Sequence, residues 1–171
     1  MKKKIYLLPL LAFICTLFIG CTKPATEFSQ HGISFTCPSG WKIDEVSELE
    51  DGCYYVCVEK SGLNSSGIVT IVTMDEGIEL EEYLSIFQGE LMSQPIYAQL
   101  NMGNVFKGNY GEYEALCAYY TANVLSLPFE GRMHAFAANG KAVCITEQEA
   151  VEDKSKNAAG FETIRESLKI E

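Results

Sequence analysis

Gly32-Ile33-Ser34-Phe35-Thr36-Cys37-Pro38-Ser39-Gly40-Trp41 is the stretch on which the reading of this chain turns. Apolar and polar residues alternate from Ile33 to Cys37, the period of a half-buried strand. Cys37-Pro38-Ser39-Gly40 then supplies turn chemistry, and Trp41-Lys42-Ile43 resumes an extended pattern. Downstream, acidic Asp44–Asp51 with Gly52 reads as a loop or strand end. Cys53-Tyr54-Tyr55-Val56-Cys57-Val58 is a strand with few polar positions on either face, which predicts a central strand covered on both sides. Ser61–Gly67 is a turn, and β-branched Ile68–Met74 pairs back as a hairpin.

Helical spacing appears first at Leu80, Tyr83, Leu84, Phe87 and Leu91, which predicts a helix from Glu79 to Ser93 packed on a sheet. Its first turn carries Glu79, Glu81 and Glu82, the end of the helix dipole that favours negative charge, and Pro95 stops it. Extended patterns then return at Ala98–Lys107, Tyr113–Val124, Phe129–Ala138 and Ala142–Glu147. They are separated by Gly108-Asn109-Tyr110-Gly111, Leu127-Pro128 and the hairpin dipeptide Asn139-Gly140. A closing helix follows polar Glu152–Asn157, with Ala158, Phe161, Ile164 and Leu168 on one face and Arg165 and Lys169 in its final turn. Runs of strands each followed by a helix make an α+β domain with a central antiparallel sheet flanked by helices.

Upstream, Lys2, Lys3 and Lys4 precede an apolar run from Ile5 to Ile19 that ends at Gly20-Cys21. The run holds 15 residues, short of the roughly 20 that span a bilayer, and Pro9 interrupts it. Basic residues, a short apolar core and a small residue before a cut describe a targeting segment. Phe18 fails the small-residue requirement of an ordinary secretory cleavage site. Leu17-Phe18-Ile19-Gly20-Cys21 instead resembles the end of a bacterial lipoprotein signal peptide, although leucine is more usual where Phe18 stands. That resemblance implies removal of residues 1–20, lipid attachment at Cys21, a short polar tether over residues 21–27 and one domain over residues 28–171. It places the domain on the cell envelope, anchored in the outer membrane of a diderm or the cytoplasmic membrane of a monoderm.

Removal of residues 1–20 takes three lysines and leaves ten Lys/Arg against 23 Asp/Glu, a net charge of −13. Such a surface repels nucleic-acid phosphates and anionic lipid headgroups. Besides Cys21, the remaining cysteines are Cys37, Cys53, Cys57, Cys117 and Cys144, an odd number that leaves at least one unpaired within the chain. On one extended strand, Cys53 and Cys57 stand about 13 Å apart at roughly 3.3 Å per residue. A disulfide needs less than about 7 Å, so these two do not bridge.

No catalytic constellation stands out. The two histidines, His31 and His134, are far apart in sequence, and Gly62–Gly67 lacks the G-x-S-x-G spacing of a serine elbow. Cys53 and Cys57 lack the second pair of a zinc site. Asp44, Glu45, Glu48, Glu50 and Asp51 lack the regular spacing of a calcium loop. Tyr54, Tyr55, Tyr110, Tyr113, Tyr119 and Tyr120 suit either a two-sided sheet or a protein interface. The residues therefore assign no catalytic, metal or cofactor site. The leading expectation is a non-enzymatic domain that binds another envelope protein; an envelope small-ligand or cation binder is the alternative, and a thiol-dependent enzyme is the third.

Both ends of the domain carry a further resemblance. Gly32–Trp41 is similar to the opening "G-hydrophobic-S-F-x-x-P-x-G-W" of PsbP-like and DcrB-like domains. Gly160-Phe161-Glu162-Thr163-Ile164-Arg165-Glu166-Ser167-Leu168-Lys169 resembles their closing "F-x-x-I-x-x-S-L/F" helix. The resemblance implies an antiparallel sheet flanked by helices and, since most such domains bind other proteins, an accessory role without cofactors.

Overall fold

The computed structural model describes residues 23–171 except 51, 63–64 and 76. The leader over residues 1–20 and the lipid-attachment residue Cys21 lie outside the described residues. Strands β1 (Thr26–Gln30), β2 (Ile33–Cys37), β3 (Trp41–Glu50), β4 (Cys53–Lys60) and β5 (Ile68–Asp75) precede helix α1 (Leu80–Ser93). Strands β6 (Tyr97–Met102), β7 (Phe106–Tyr110), β8 (Tyr113–Val124), β9 (Leu127–Ala138) and β10 (Lys141–Ala150) follow. A single 3-10 turn, Val151–Asp153, leads into helix α2 (Lys154–Ser167) and the two-residue strand β11 (Lys169–Ile170).

Eight strands form the main antiparallel sheet in the order β3-β4-β5-β10-β9-β8-β6, with β7 pairing the first half of β8. The N-terminal hairpin β1–β2 and β11 form a separate three-stranded sheet. Between β1 and β2, His31 and Gly32 both take positive φ (54° and 74°), the two-residue turn whose twist matches its strands. Asn139 and Gly140 do the same between β9 and β10 (50° and 75°), as their sequence predicts.

Strand alternation divides the core into two layers. Val56, Val58, Val69, Ile71, Phe136, Val143 and Ile145 face α2 and the small sheet, where Phe35, Phe161, Ile164 and Leu168 complete the larger core. Ala118, Tyr120, Met133, Ala135, Ala142 and Cys144 face the opposite way, against Tyr83, Leu84 and Leu91 of α1.

Several elements differ from the sequence expectation. Of the two readings of the acidic stretch, loop or strand end, the structure has strand: residues 44–50 are the outer part of edge strand β3, whose register shifts between Ile43 and Glu45 and again between Glu48 and Glu50. The first shift puts both Ile43 and Val46 against the larger core, which hides the alternation. Residues 98–107 are two strands rather than one. The chain breaks at Gly103, whose N–H donates to the Tyr119 carbonyl (2.8 Å), so that β8 is paired by β6 over one half and β7 over the other. In α2, Ala158 is exposed and the buried face is Asn157, Gly160, Phe161 and Ile164. The Trp41 indole lies so close over Gly160 that no side chain fits between them. Lys169 lies beyond the helix, in β11.

Candidate functional site

Helix α1 packs on β6, β8, β9 and β10, and leaves the same face of β3–β5 open. A groove with a volume of about 850 Å3 results. Its floor is Cys53, Tyr55 and Cys57 of β4 with Thr70, Val72 and Met74 of β5, and its wall is Tyr83, Ile86, Phe87 and Leu91 of α1. Strand β4 is thus buried on one face, through Val56 and Val58, and lines this groove with the other, rather than being covered on both sides. The register shift at Ile43/Glu45 turns Glu45 of β3 onto the far rim, and the second shift at Glu48/Glu50 brings Leu49 and Glu50 there as well, opposite Ile86 and Glu90.

One end of the groove is polar. The hydroxyls of Tyr97 and Tyr120 both donate to Gln148 Oε1, at 2.7 and 2.9 Å. Because that oxygen accepts twice, the carboxamide is oriented and its N–H groups are left for the groove. Thr146 lines the same end. No Lys or Arg lines the groove, and Glu45, Glu50 and Glu90 make no ion pair among the described residues. Burial, followed by the charge of Glu50, pushes the Cys53 thiol up. Burial also raises Cys57, against a hydrogen bond with Tyr55 that pulls the other way. Neither groove thiol is therefore poised as a thiolate nucleophile.

A second polar cluster lies on the other face of the sheet. Cys117 of β8 and His134 of β9 are directly opposed in register, and Cys117 Sγ is 3.3 Å from His134 Nδ1. The Tyr110 ring lies 5.0 Å from the imidazole, and Arg165 of α2 sits 5.5 Å over that ring. Arg165 Nη2 donates to both oxygens of Glu147, at 3.0 and 2.8 Å. Glu147 is only 2 % exposed and His134 7 %.

A Cys–His contact invites comparison with a nucleophile and its base, but this environment works against one. Burial pushes the Cys117 thiol up. Burial, then the charges of Arg165 and Arg132, pull His134 down to about 4. Both groups are neutral near pH 7, whereas a reactive pair needs a thiolate beside an imidazolium. His134 Nε2 is buried without a hydrogen-bond partner among the described residues. Gly108 of β7 also closes over Cys117; a Cβ there would stand 2.9 Å from the sulfur. The cluster fixes α2 to the sheet through Arg165 and Glu147.

The remaining sequence candidates are scattered. His31 occupies the β1–β2 turn and stacks on Tyr54 at 4.2 Å. Asp44 is tied to Lys42 (2.7 Å), while Glu45 and Glu50 reach the groove rim; Asp51 lies outside the described residues. No three or more of the described His, Cys, Asp and Glu residues are grouped to hold a metal. Cys37, Cys53, Cys57, Cys117 and Cys144 are all free thiols, with Cys53 and Cys57 on one strand as their spacing requires. Tyr110 and Tyr120 are core residues, whereas Tyr119 is exposed and stacks on Phe106 at 5.2 Å. The groove was not foreseen from sequence. Its signal is the run Cys53, Tyr55, Cys57, an apolar strand face opposite a helix that covers only half a sheet.

No protein-family model matches the chain, and no curated protein matches its sequence. Solved structures do resemble it. Cyanobacterial PsbP (CyanoP) from Synechocystis sp. PCC 6803 matches with a TM-score of 0.58 at 12% identity, over 90% of this chain and 96% of that protein. A protein from Bacteroides thetaiotaomicron VPI-5482 matches with a TM-score of 0.56 at 12% identity, over 86% of this chain and 49% of its own. This chain thus spans about half of the Bacteroides protein. LpqN of Mycobacterium tuberculosis, involved in cell envelope biogenesis, aligns with a TM-score of 0.46 at 13% identity, over 86% of both chains. The arrangement of a large antiparallel sheet between two helices, closed by a small N-terminal hairpin, is the PsbP-like fold.

Proposed function

We propose that the chain is a lipid-anchored, non-enzymatic accessory protein of a bacterial cell envelope that holds another envelope component in the groove between α1 and β3–β5. The observation that carries this reading is the groove itself. It is the size of a ligand site, its floor is apolar, and its acidic rim has no counter-charge among the described residues, while the Cys117–His134 contact is sealed and neutral. The anchor rests on Lys2–Lys4, Ile5–Ile19 and Cys21 in the sequence. No helix among the described residues is long and apolar enough to cross a membrane; the anchor in this reading is lipid at Cys21, read from the sequence of residues outside them.

Metabolic labelling with an alkynyl fatty acid tests the anchor. Label and membrane association are expected in the wild type, and the label is expected to be lost in Cys21→Ala. A photo-crosslinking residue in place of Ile86, on the groove wall, is expected to trap a recurrent adduct in intact cells that the same residue at Glu166 does not. A wild type without label, label persisting in Cys21→Ala, or the absence of any Ile86 adduct contradicts the proposal. The groove volume also suits a second reading, an envelope small-ligand binder. Thermal-shift screening against metabolite fractions separates the two, since a small ligand stabilises the protein without a crosslinked partner.

A further inference from the structure

We infer that the groove takes a basic, apolar polypeptide segment of another envelope protein, with its lysines or arginines on the glutamate rim and its apolar side chains on the β4–β5 floor. This inference rests on the groove-binding reading above and names its ligand. Three observations carry it together.

The first is charge placement. Glu45 and Glu50 stand on one rim and Glu90 on the other, all exposed and without an ion-pair partner among the described residues. A basic group arriving there meets carboxylates that no neighbour neutralises. A phosphate or carboxylate headgroup meets only repulsion. The second is spacing. Glu45 and Glu50 of β3 stand opposite Cys57 and Cys53, four positions apart on β4, about 13 Å along the strand. Between them, Leu49 is exposed, facing an equally exposed Ile86 on the helix. A single-headed amphiphile brings one polar group and cannot meet both ends of that rim. A chain that repeats cations between apolar side chains can.

The third is the polar end of the groove. Tyr97 and Tyr120 occupy Gln148 Oε1, so the group Gln148 presents is a donor. Its match in a polypeptide is a backbone carbonyl, present in every residue. An acidic peptide or an anionic lipid satisfies the donor but not the rim. A hydrocarbon tail satisfies the floor and neither polar element. Exposed apolar residues that rim a polar-edged groove are the usual mark of a peptide-docking surface.

The test uses the full chain in zwitterionic nanodiscs, with empty nanodiscs as the blank. The probes are a fluorescent octapeptide of alternating lysine and leucine, its glutamate–leucine counterpart, and the neutral apolar dye N-phenyl-1-naphthylamine. Binding is read by anisotropy, and location by protection of Cys53 and Cys57 from a maleimide, resolved by mass spectrometry. The lysine–leucine peptide is expected to bind and to protect both thiols; the glutamate–leucine peptide is not. Exposed carboxylate pairs are individually weak, so Glu45→Gln/Glu50→Gln/Glu90→Gln together should weaken binding roughly tenfold. Glu152→Gln/Glu166→Gln/Glu171→Gln, which remove equal charge away from the groove, should leave it unchanged.

Equal weakening by the two triple variants, or binding without thiol protection, overturns the inference by reducing it to net charge. Protection by the dye but not by the lysine–leucine peptide also overturns it, and leaves the groove-binding reading standing. No protection by any probe removes both.

Discussion

His134 sets a limit on acid stability that can be worked out from its surroundings. The imidazole is 7 % exposed, faces the Cys117 thiol and the Tyr110 ring, and feels the charges of Arg165 and Arg132. Its proton affinity falls from the ordinary 6.5 to about 4, first through burial and then through the two arginines. Between those values the unfolded chain binds a proton that the folded chain does not, so stability falls as pH is lowered. From about pH 7.5 to about pH 5 the loss attributable to this group is roughly 2 kcal/mol, rising to about 3 kcal/mol near pH 4. The perturbation is His134→Gln, which keeps a polar side chain and removes the titration. The assay is urea unfolding followed by the fluorescence of the single tryptophan, Trp41, across that pH range. Burial also raises the Glu147 and Glu149 carboxyls. Their trend is opposite, stabilising at low pH and lost as pH rises, but both residues are present in both proteins and cancel in the difference. The wild type should therefore lose about 2 kcal/mol more than the variant between about pH 7.5 and pH 5. Parallel curves, within about 0.5 kcal/mol, would show that His134 protonates in place and refute the reasoning.

Two further predictions concern packing. Gly160→Ala gains about 1 kcal/mol of helix propensity but drives a methyl into the Trp41 ring, and overpacking costs about 1–3 kcal/mol. It should lower the urea midpoint and shift Trp41 emission, whereas Gly89→Ala in α1, where nothing lies within 4 Å, should raise the midpoint without a spectral change. Arg165→Met strands the buried Glu147 carboxylate and should destabilise by about 3 kcal/mol, at the low end for a broken buried pair because Arg132 stands opposite in register. Adding Glu147→Leu should recover most of that loss in a thermal melt; a double variant no better than the single would show that α2 needs the ion pair itself.

Much of the fold is written locally. The Ile33–Cys37 alternation, the Asn139-Gly140 turn and the α1 stripe each specify their element within a few residues, and the structure has all three where expected. What was not legible depends on partners distant in sequence. Ala158 sits on the helical face that the apolar spacing selects, yet Gly160 is buried in its place, because Trp41 arrives from 119 residues upstream. The acidic stretch of β3 reads as either loop or strand end because its bulges break the alternation. The β8–β9 turn is formed by Leu125 and Ser126, with φ of 51° and 70°. These are not the asparagine and glycine that announce such a turn, so the sequence points to Leu127-Pro128 as the connection although both belong to β9. The groove is the least local feature of all. It exists only because β5 pairs with β10, with Val72 opposite Cys144, 72 positions away in sequence, which sets the β3–β5 hairpins beside a helix-covered half.

That same β5–β10 seam has a consequence for how the protein is made. Strands β3–β5 and β6–β9 are two meanders, and nothing joins them in the sheet until β10 enters between β5 and β9. The small sheet is in the same position, since β2 gains its second neighbour from β11, after α2. Both closures fall in the last 31 residues of the sequence. Early segments emerging during synthesis have strand edges and apolar faces but no partner to seal them. A chain interrupted before β10 is left as two unsealed halves, so exposure of those edges to proteolysis ends only when β10 and β11 have been made.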